Sequence, residues 1–141
     1  GTTCDRMVRA VGAGSTPADA LVSSARPDIK YWKMAIDEML GWPASPSQFE
    51  AEDQPDDAIL DTAIDYAVDQ IEDEQGAAAP SSIIPSGSGR IAMEWNDEHV
   101  TMVIEFTALG RAVCTTFTGG KVTSKQLLKR NPISRKLEIR G

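Results

Sequence analysis

Five aspartates, Asp57, Asp61, Asp65, Asp69 and Asp73, recur every four residues, and no other set of residues in the chain comes nearer to a chemical arrangement. On a helix, a four-residue step overshoots the turn by about 40°, so the five form a slanting acidic ridge. Like charges four apart cost an isolated helix a few tenths of a kcal/mol per pair, so helix stability alone would not select them. Such a ridge can be a solvated face, a docking surface for the Arg and Lys of a basic partner, or part of a divalent-cation site. A cation site needs carboxylates converging from a second element. The preceding helix offers Asp37 and Glu38, so the ligand set to test is Asp61, Asp65, Asp37 and Glu38. That set would serve a metal-dependent hydrolase or nucleotide-processing enzyme. It is thin, and the reading of the sequence is no metal and no cofactor.

Other reactive side chains are isolated. His99 is the single histidine, at a turn between strands, where it reads as exposed turn chemistry. Cys114 lies inside a strand pattern and reads as a small half-buried side chain. Glu94 and Glu105 fall on the outward side of two neighbouring strands, an ordinary polar row. Ser86-Gly87-Ser88-Gly89 is rich in glycine but leads into a strand and has no lysine–serine ending, which excludes a phosphate loop. No nucleophile elbow, HExxH, paired CxxC or kinase signature occurs, and no catalytic residue is assigned.

The elements that hold these residues follow from periodicity. In 90–95, Ile91, Met93 and Trp95 alternate with Arg90, Ala92 and Glu94, the period of a strand with one buried face. Asn96-Asp97 supplies a turn, and alternation resumes over 99–107 with Val100, Met102, Ile104 and Phe106 on one face. Ala108-Leu109-Gly110 breaks the pattern, and 111–117 is a third strand ended by Gly119-Gly120. Ile83 to Pro85 predicts a short edge strand, where proline is tolerated. Upstream, Ile29, Trp32, Ile36, Met39 and Leu40 recur at helical spacing over 28–40, stopped by Gly41 and Pro43. Leu60, Ile64, Val68 and Ile71 mark a second helix over 55–74, with Asp56 and Asp57 at the positive end of its dipole. The exposed apolar face of the strands needs a lid, and these two helices are the available one.

The sequence therefore predicts one α+β domain: two main helices packed on an antiparallel β-meander of three to five strands. Residues 1–27 read as a weakly structured segment, with a short helix after Thr16-Pro17, and 28–120 as the core. In 121–141, Thr123-Ser124 predicts a cap for a short helix through Leu127, Leu128 and Arg130, closed by Asn131-Pro132, followed by a strand-like tail near Leu137 and Ile139. Trp42 and Phe49 are expected to anchor the loop between the helices.

With 141 residues and 41% hydrophobic content, one core of ordinary size is the expectation. Net charge of −7 weighs against nucleic acid and anionic membranes as partners. That average hides a split: eleven acids and no Lys or Arg from Glu50 to Glu74, against eight Lys or Arg and one acid from Arg111 to Gly141. A basic protein partner, or self-association through acid and basic ends of two copies, fits this polarity; nucleic acid would require the cations of 121–140 to share one face. Cys4 and Cys114 suggest neither a disulfide framework nor a zinc site, and with no apolar run of spanning length they predict a cytoplasmic protein with reduced thiols.

Pro80-Ser-Ser-Ile-Ile-Pro85, Gly89-Arg-Ile-Ala-Met-Glu-Trp95, Val100-Thr-Met-Val-Ile-Glu105 and Gly110 together resemble a pattern of small uncharacterised bacterial proteins, P-x-I-x-P, G-G-I-x-L-E-W, L-x-I-E-I, G. Gly41-Trp42-Pro43 stands where that pattern has a G-W loop, and the likeness spans about 41–120. It departs at Arg90, in place of a second glycine, and at Met93, in place of leucine. The resemblance implies a fold unit and no activity, and some proteins of this kind look like companions of toxin–antitoxin loci. The function expected is a non-enzymatic, antitoxin-like interaction module whose aspartate ridge, Asp57, Asp61, Asp65, Asp69 and Asp73, holds a basic partner.

Overall fold

The computed structural model of the chain describes residues 27–43 and 54–140. Helix α1 spans Pro27–Gly41 and α2 spans Asp57–Glu72; six strands follow, β1 Ser82–Gly87, β2 Arg90–Asn96, β3 Val100–Ala108, β4 Arg111–Thr118, β5 Lys121–Arg130 and β6 Leu137–Arg140. Each strand pairs antiparallel with the next, in the order β1-β2-β3-β4-β5-β6. The α+β class stands, while the sheet has six strands where three to five were expected. The helix proposed after Thr16 and the anchor at Phe49 lie outside the described residues, as does Cys4.

The additional strand is β5, which replaces the short helix expected through Leu127, Leu128 and Arg130. Gly119 and Gly120 have φ of 58° and 80°, the two left-handed residues of a tight hairpin whose twist matches its strands. The turn hands the chain directly to pairing with β4, and Leu128 comes opposite Ala112 on the inner face. Leu127 and Leu128 are adjacent, a spacing that suits either period, so the cross-strand neighbour decides. Asn131 then ends β5: its Oδ1 accepts from the backbone N–H of Ile133 and Ser134 at 2.8 and 3.2 Å. That side-chain turn leads into β6.

The predicted apolar row of the meander forms the core floor. Ile91, Met93, Trp95, Met102, Ile104 and Phe106 are all buried, with Ala112, Cys114 and Leu128 continuing the floor across β4 and β5. Helix α2 lies on β2 and β3 and α1 packs on α2. From α2, Ile59, Leu60, Thr62, Ala63, Tyr66 and Ala67 face inward, and from α1 Trp32, Ala35 and Met39 do so. Three contacts among four aromatic residues tie the layers together, Trp32 to Tyr66 at 6.0 Å, Trp32 to Trp95 at 6.4 Å, and Tyr66 to Phe106 at 5.6 Å. Their tilted and edge-on geometries suit ring quadrupoles. Trp42 is buried as expected of an anchor.

Two buried indoles meet an acceptor in the segment between α2 and β1. Trp32 Nε1 donates to the Ala77 carbonyl at 2.7 Å and Trp95 Nε1 to the Ala78 carbonyl at 2.8 Å. The run of small residues lets this backbone come close to both rings, and the Gln70 side chain accepts from the Ala77 N–H at 2.9 Å. At the other end of α2, the Asp56 N–H donates to the Gly89 carbonyl at 2.9 Å. A Cβ on Gly89 would come within 3.0 Å of the Asp56 Cβ, at a φ of +78°, so the β1–β2 turn needs glycine where it meets the start of α2.

Candidate interaction surface

Helix α2 carries the aspartate ridge as the four-residue step requires. Asp57, Asp61 and Asp65 are exposed, whereas Asp69 is half-buried, because each step of about 40° rotates the next carboxylate toward the sheet; Asp73, also half-buried, lies just past the helix as its extended C-cap. There the chain's own basic end meets the ridge. Arg130, on the inner side of β5, donates from Nη2 to Asp65 Oδ2 at 3.2 Å. Lys136, in the β5–β6 connection, and Arg130 both draw the Asp69 charge down in energy, but desolvation outweighs them, and with Asp65 and Glu72 beside it the Asp69 carboxyl is held above its ordinary value of 3.8. One ion pair thus joins the acidic and basic blocks of the sequence within a single chain.

This placement gives a pH signature. Between the unfolded and folded pKa of Asp69 the folded state holds the extra proton, so stability falls as pH rises through that interval. The penalty is absent below about pH 4 and complete once Asp69 is ionised in the fold. Asp69→Asn is therefore expected to raise the thermal midpoint at neutral pH and to leave it unchanged in acid. Melting curves of both proteins across a pH series test this, and a pH-independent difference would refute it.

Asp37 and Glu38 are exposed on α1, and among the described residues no three of His, Cys, Asp and Glu come together to hold a metal ion. Asp61, Asp65, Asp37 and Glu38 are therefore not gathered into one ligand set. His99 is exposed in the β2–β3 turn, its carbonyl accepting from the Gly119 N–H at 3.3 Å. Cys114 is buried on the inner face of β4. The cations of the C-terminal segment do not share a face: Arg130 turns inward to α2, while Lys125 and Lys129 alternate to the outer side of β5.

The outer face of the sheet is the other open surface. The helices cover the opposite side, and outward-pointing residues form cross-strand rows: Ile84, Ala92, Glu105, Val113 and Leu127 in one, Ser82, Glu94, Val103, Thr115 and Lys125 in the next. Val103, Val113 and Phe117 are half-buried by their neighbours, while Ile84, Val122 and Leu127 remain 51, 58 and 62% exposed. Glu94 and Glu105 are diagonal neighbours: Glu94 stands opposite Val103, and Glu105 opposite Ala92. Glu105 is engaged locally, 3.6 Å from Arg90 and accepting from the Ser86 hydroxyl at 3.0 Å. The sequence signal for this surface was present in Val103 and Val113, apolar residues at outward positions of strands whose other face is already apolar.

No family model matches the chain, and no curated protein or solved structure matches it at a significant level. No helix among the described residues is long and apolar enough to cross a membrane.

Proposed function

We propose that the chain is a non-enzymatic protein-interaction module that meets its partner through the outer face of the sheet. The observation that carries this reading is the set of apolar residues that neighbouring strands bring to that face, Ile84, Val103, Val113, Val122 and Leu127, interspersed with Glu94, Glu105 and Lys125. Exposed apolar side chains mixed with charged ones on one flat face suit a protein contact surface. The aspartate ridge contributes less than its sequence suggests, since Asp65 pairs with Arg130 and burial disfavours the charged form of Asp69. Asp57 and Asp61 stay exposed and supply a field that steers a basic partner toward the module. An antitoxin-like companion protein is one instance of this role.

The test is affinity capture with the tagged wild type and with Leu127→Glu, which alters an exposed side chain and spares the core. The wild type is expected to retain a specific protein that Leu127→Glu loses, and Asp57→Asn with Asp61→Asn to flatten the salt dependence of its release. Equal capture by wild type and Leu127→Glu would overturn the reading.

A further inference from the structure

We infer that the outer sheet face takes a second copy of this chain, forming a two-fold dimer held by apolar contacts of Leu127 and Val113 and by two symmetry-related Glu94–Lys125 ion pairs. The inference rests on the reading of that face as the contact surface.

The argument comes from how charge is arranged on the face. Glu94 lies on β2, in the half of the sheet toward β1; Lys125 and Lys129 lie on β5, in the half toward β6. Arg90 and Glu105 offset each other in the first half, leaving Glu94 in excess, whereas Arg111, Lys125 and Lys129 outnumber Glu138 in the second, so the halves differ in net sign. Two such sheets stacked face to face keep their strands nearly aligned. A two-fold axis between them, running along the strands midway between β3 and β4, lays every strand over the one equally far from the opposite edge. Then β2 lies over β5 of the other copy, and β3 over β4. An axis running across the strands would instead lay β2 over β2 and β5 over β5, gathering like charges, which is the costly arrangement.

The first axis also matches shapes. Because cross-strand rows are preserved under it, Glu94 falls opposite Lys125 of the partner subunit in the row that contains both. In the adjoining row small Ala92 falls opposite Leu127 of the partner subunit, the most prominent apolar side chain on β5 and 62% exposed. At the centre Val103 meets Thr115 of the partner subunit, and Glu105, whose charge is answered within its own chain by Arg90 at 3.6 Å and by the Ser86 hydroxyl, meets Val113 of the partner subunit. Among the described residues neither Glu94 nor Lys125 enters an ion pair within its own chain, so each has its charge available. The extent is sufficient: six strands about 4.8 Å apart, each about seven residues long, present roughly 700 Å² per copy, close to the roughly 800 Å² per partner of a standard stable interface.

Sedimentation equilibrium and light scattering on the wild type are expected to show a dimer that dissociates as salt is raised. Leu127→Glu is expected to be a monomer with an unchanged far-ultraviolet spectrum. Glu94→Lys and Lys125→Glu are each expected to weaken self-association at least about a hundredfold, two like-charge contacts at about tenfold each. Mixed in equal amounts, these two variants are expected to form a one-to-one heterodimer, because both contacts then join opposite charges. A monomeric wild type, a dimer that survives Leu127→Glu, or reversed-charge variants that stay apart on mixing would each overturn the inference. A monomer whose capture of another protein still depends on Leu127 overturns self-association alone and leaves the outer face as the contact surface.

Discussion

Replacing Trp95 with alanine is expected to destabilise the protein by about 3–5 kcal/mol, a large share of the roughly 5–15 kcal/mol that hold a domain folded. Three losses combine. The indole is fully buried at the junction of β2 with both helices, so removing it leaves a cavity that the surrounding Trp32 and Met side chains fill only in part. Its edge-on contact with Trp32 at 6.4 Å disappears. The Ala78 carbonyl, which accepts from Trp95 Nε1 at 2.8 Å, loses that partner in a buried setting. Trp95→Phe separates these contributions: it keeps most of the apolar volume and deletes the N–H, so it is expected to cost about 1–3 kcal/mol, mostly from the abandoned carbonyl. Urea unfolding of the three proteins measures the series. A phenylalanine variant as stable as the wild type would mean that the indole hydrogen bond does not hold the α2–β1 segment in place.

The sequence shows Trp95 to be a core residue but gives no sign of its acceptor, and that difference marks where sequence reading stops. Alternation over Ile91, Met93 and Trp95 follows from the pleat of the strand, so it is written locally. The acceptor is a backbone carbonyl of an alanine, and every residue has one. The same holds for charge. The acidic and basic blocks are plain in the sequence, but the 3.2 Å contact of Asp65 with Arg130 spans 65 positions of chain, and nothing local tells an intramolecular answer from an intermolecular one. Strand β5 is not legible locally because Leu127 and Leu128 sit side by side among cations; only pairing with β4, which puts Leu128 inside and Leu127 outside, assigns the period. The outer face was hidden for a related reason. Glu94 and Glu105 gave it a polar look, while Val103 and Val113 acquire meaning as a patch only when register sets them on neighbouring strands.

Thr62→Val is the second substitution expected to have a large effect, although it changes a hydroxyl to a methyl at nearly constant volume. Thr62 is fully buried on the sheet side of α2. Its Oγ1 donates to the Ala58 carbonyl at 2.9 Å and accepts from the Gly110 N–H at 3.0 Å. The Ala58 carbonyl also belongs to the helix ladder, so it tolerates the loss. Gly110 has no such reserve: it is buried in the β3–β4 turn with a φ of +68°, and valine would leave its N–H without an acceptor. The cost of a buried donor left unpaired is about 1–3 kcal/mol. Thr62→Ser keeps the hydroxyl and removes only a methyl, for which about 1 kcal/mol is expected. The order valine worse than serine is the reverse of what apolar burial alone would give, so equilibrium unfolding of both variants decides which effect governs. Amide exchange at Gly110 supplies an independent reading, since it should accelerate in the valine variant and stay protected in the serine one. If valine proved the more stable replacement, the link between α2 and the β3–β4 turn would be packing alone, and the hydrogen bond to Gly110 would contribute nothing to holding the helix on the sheet.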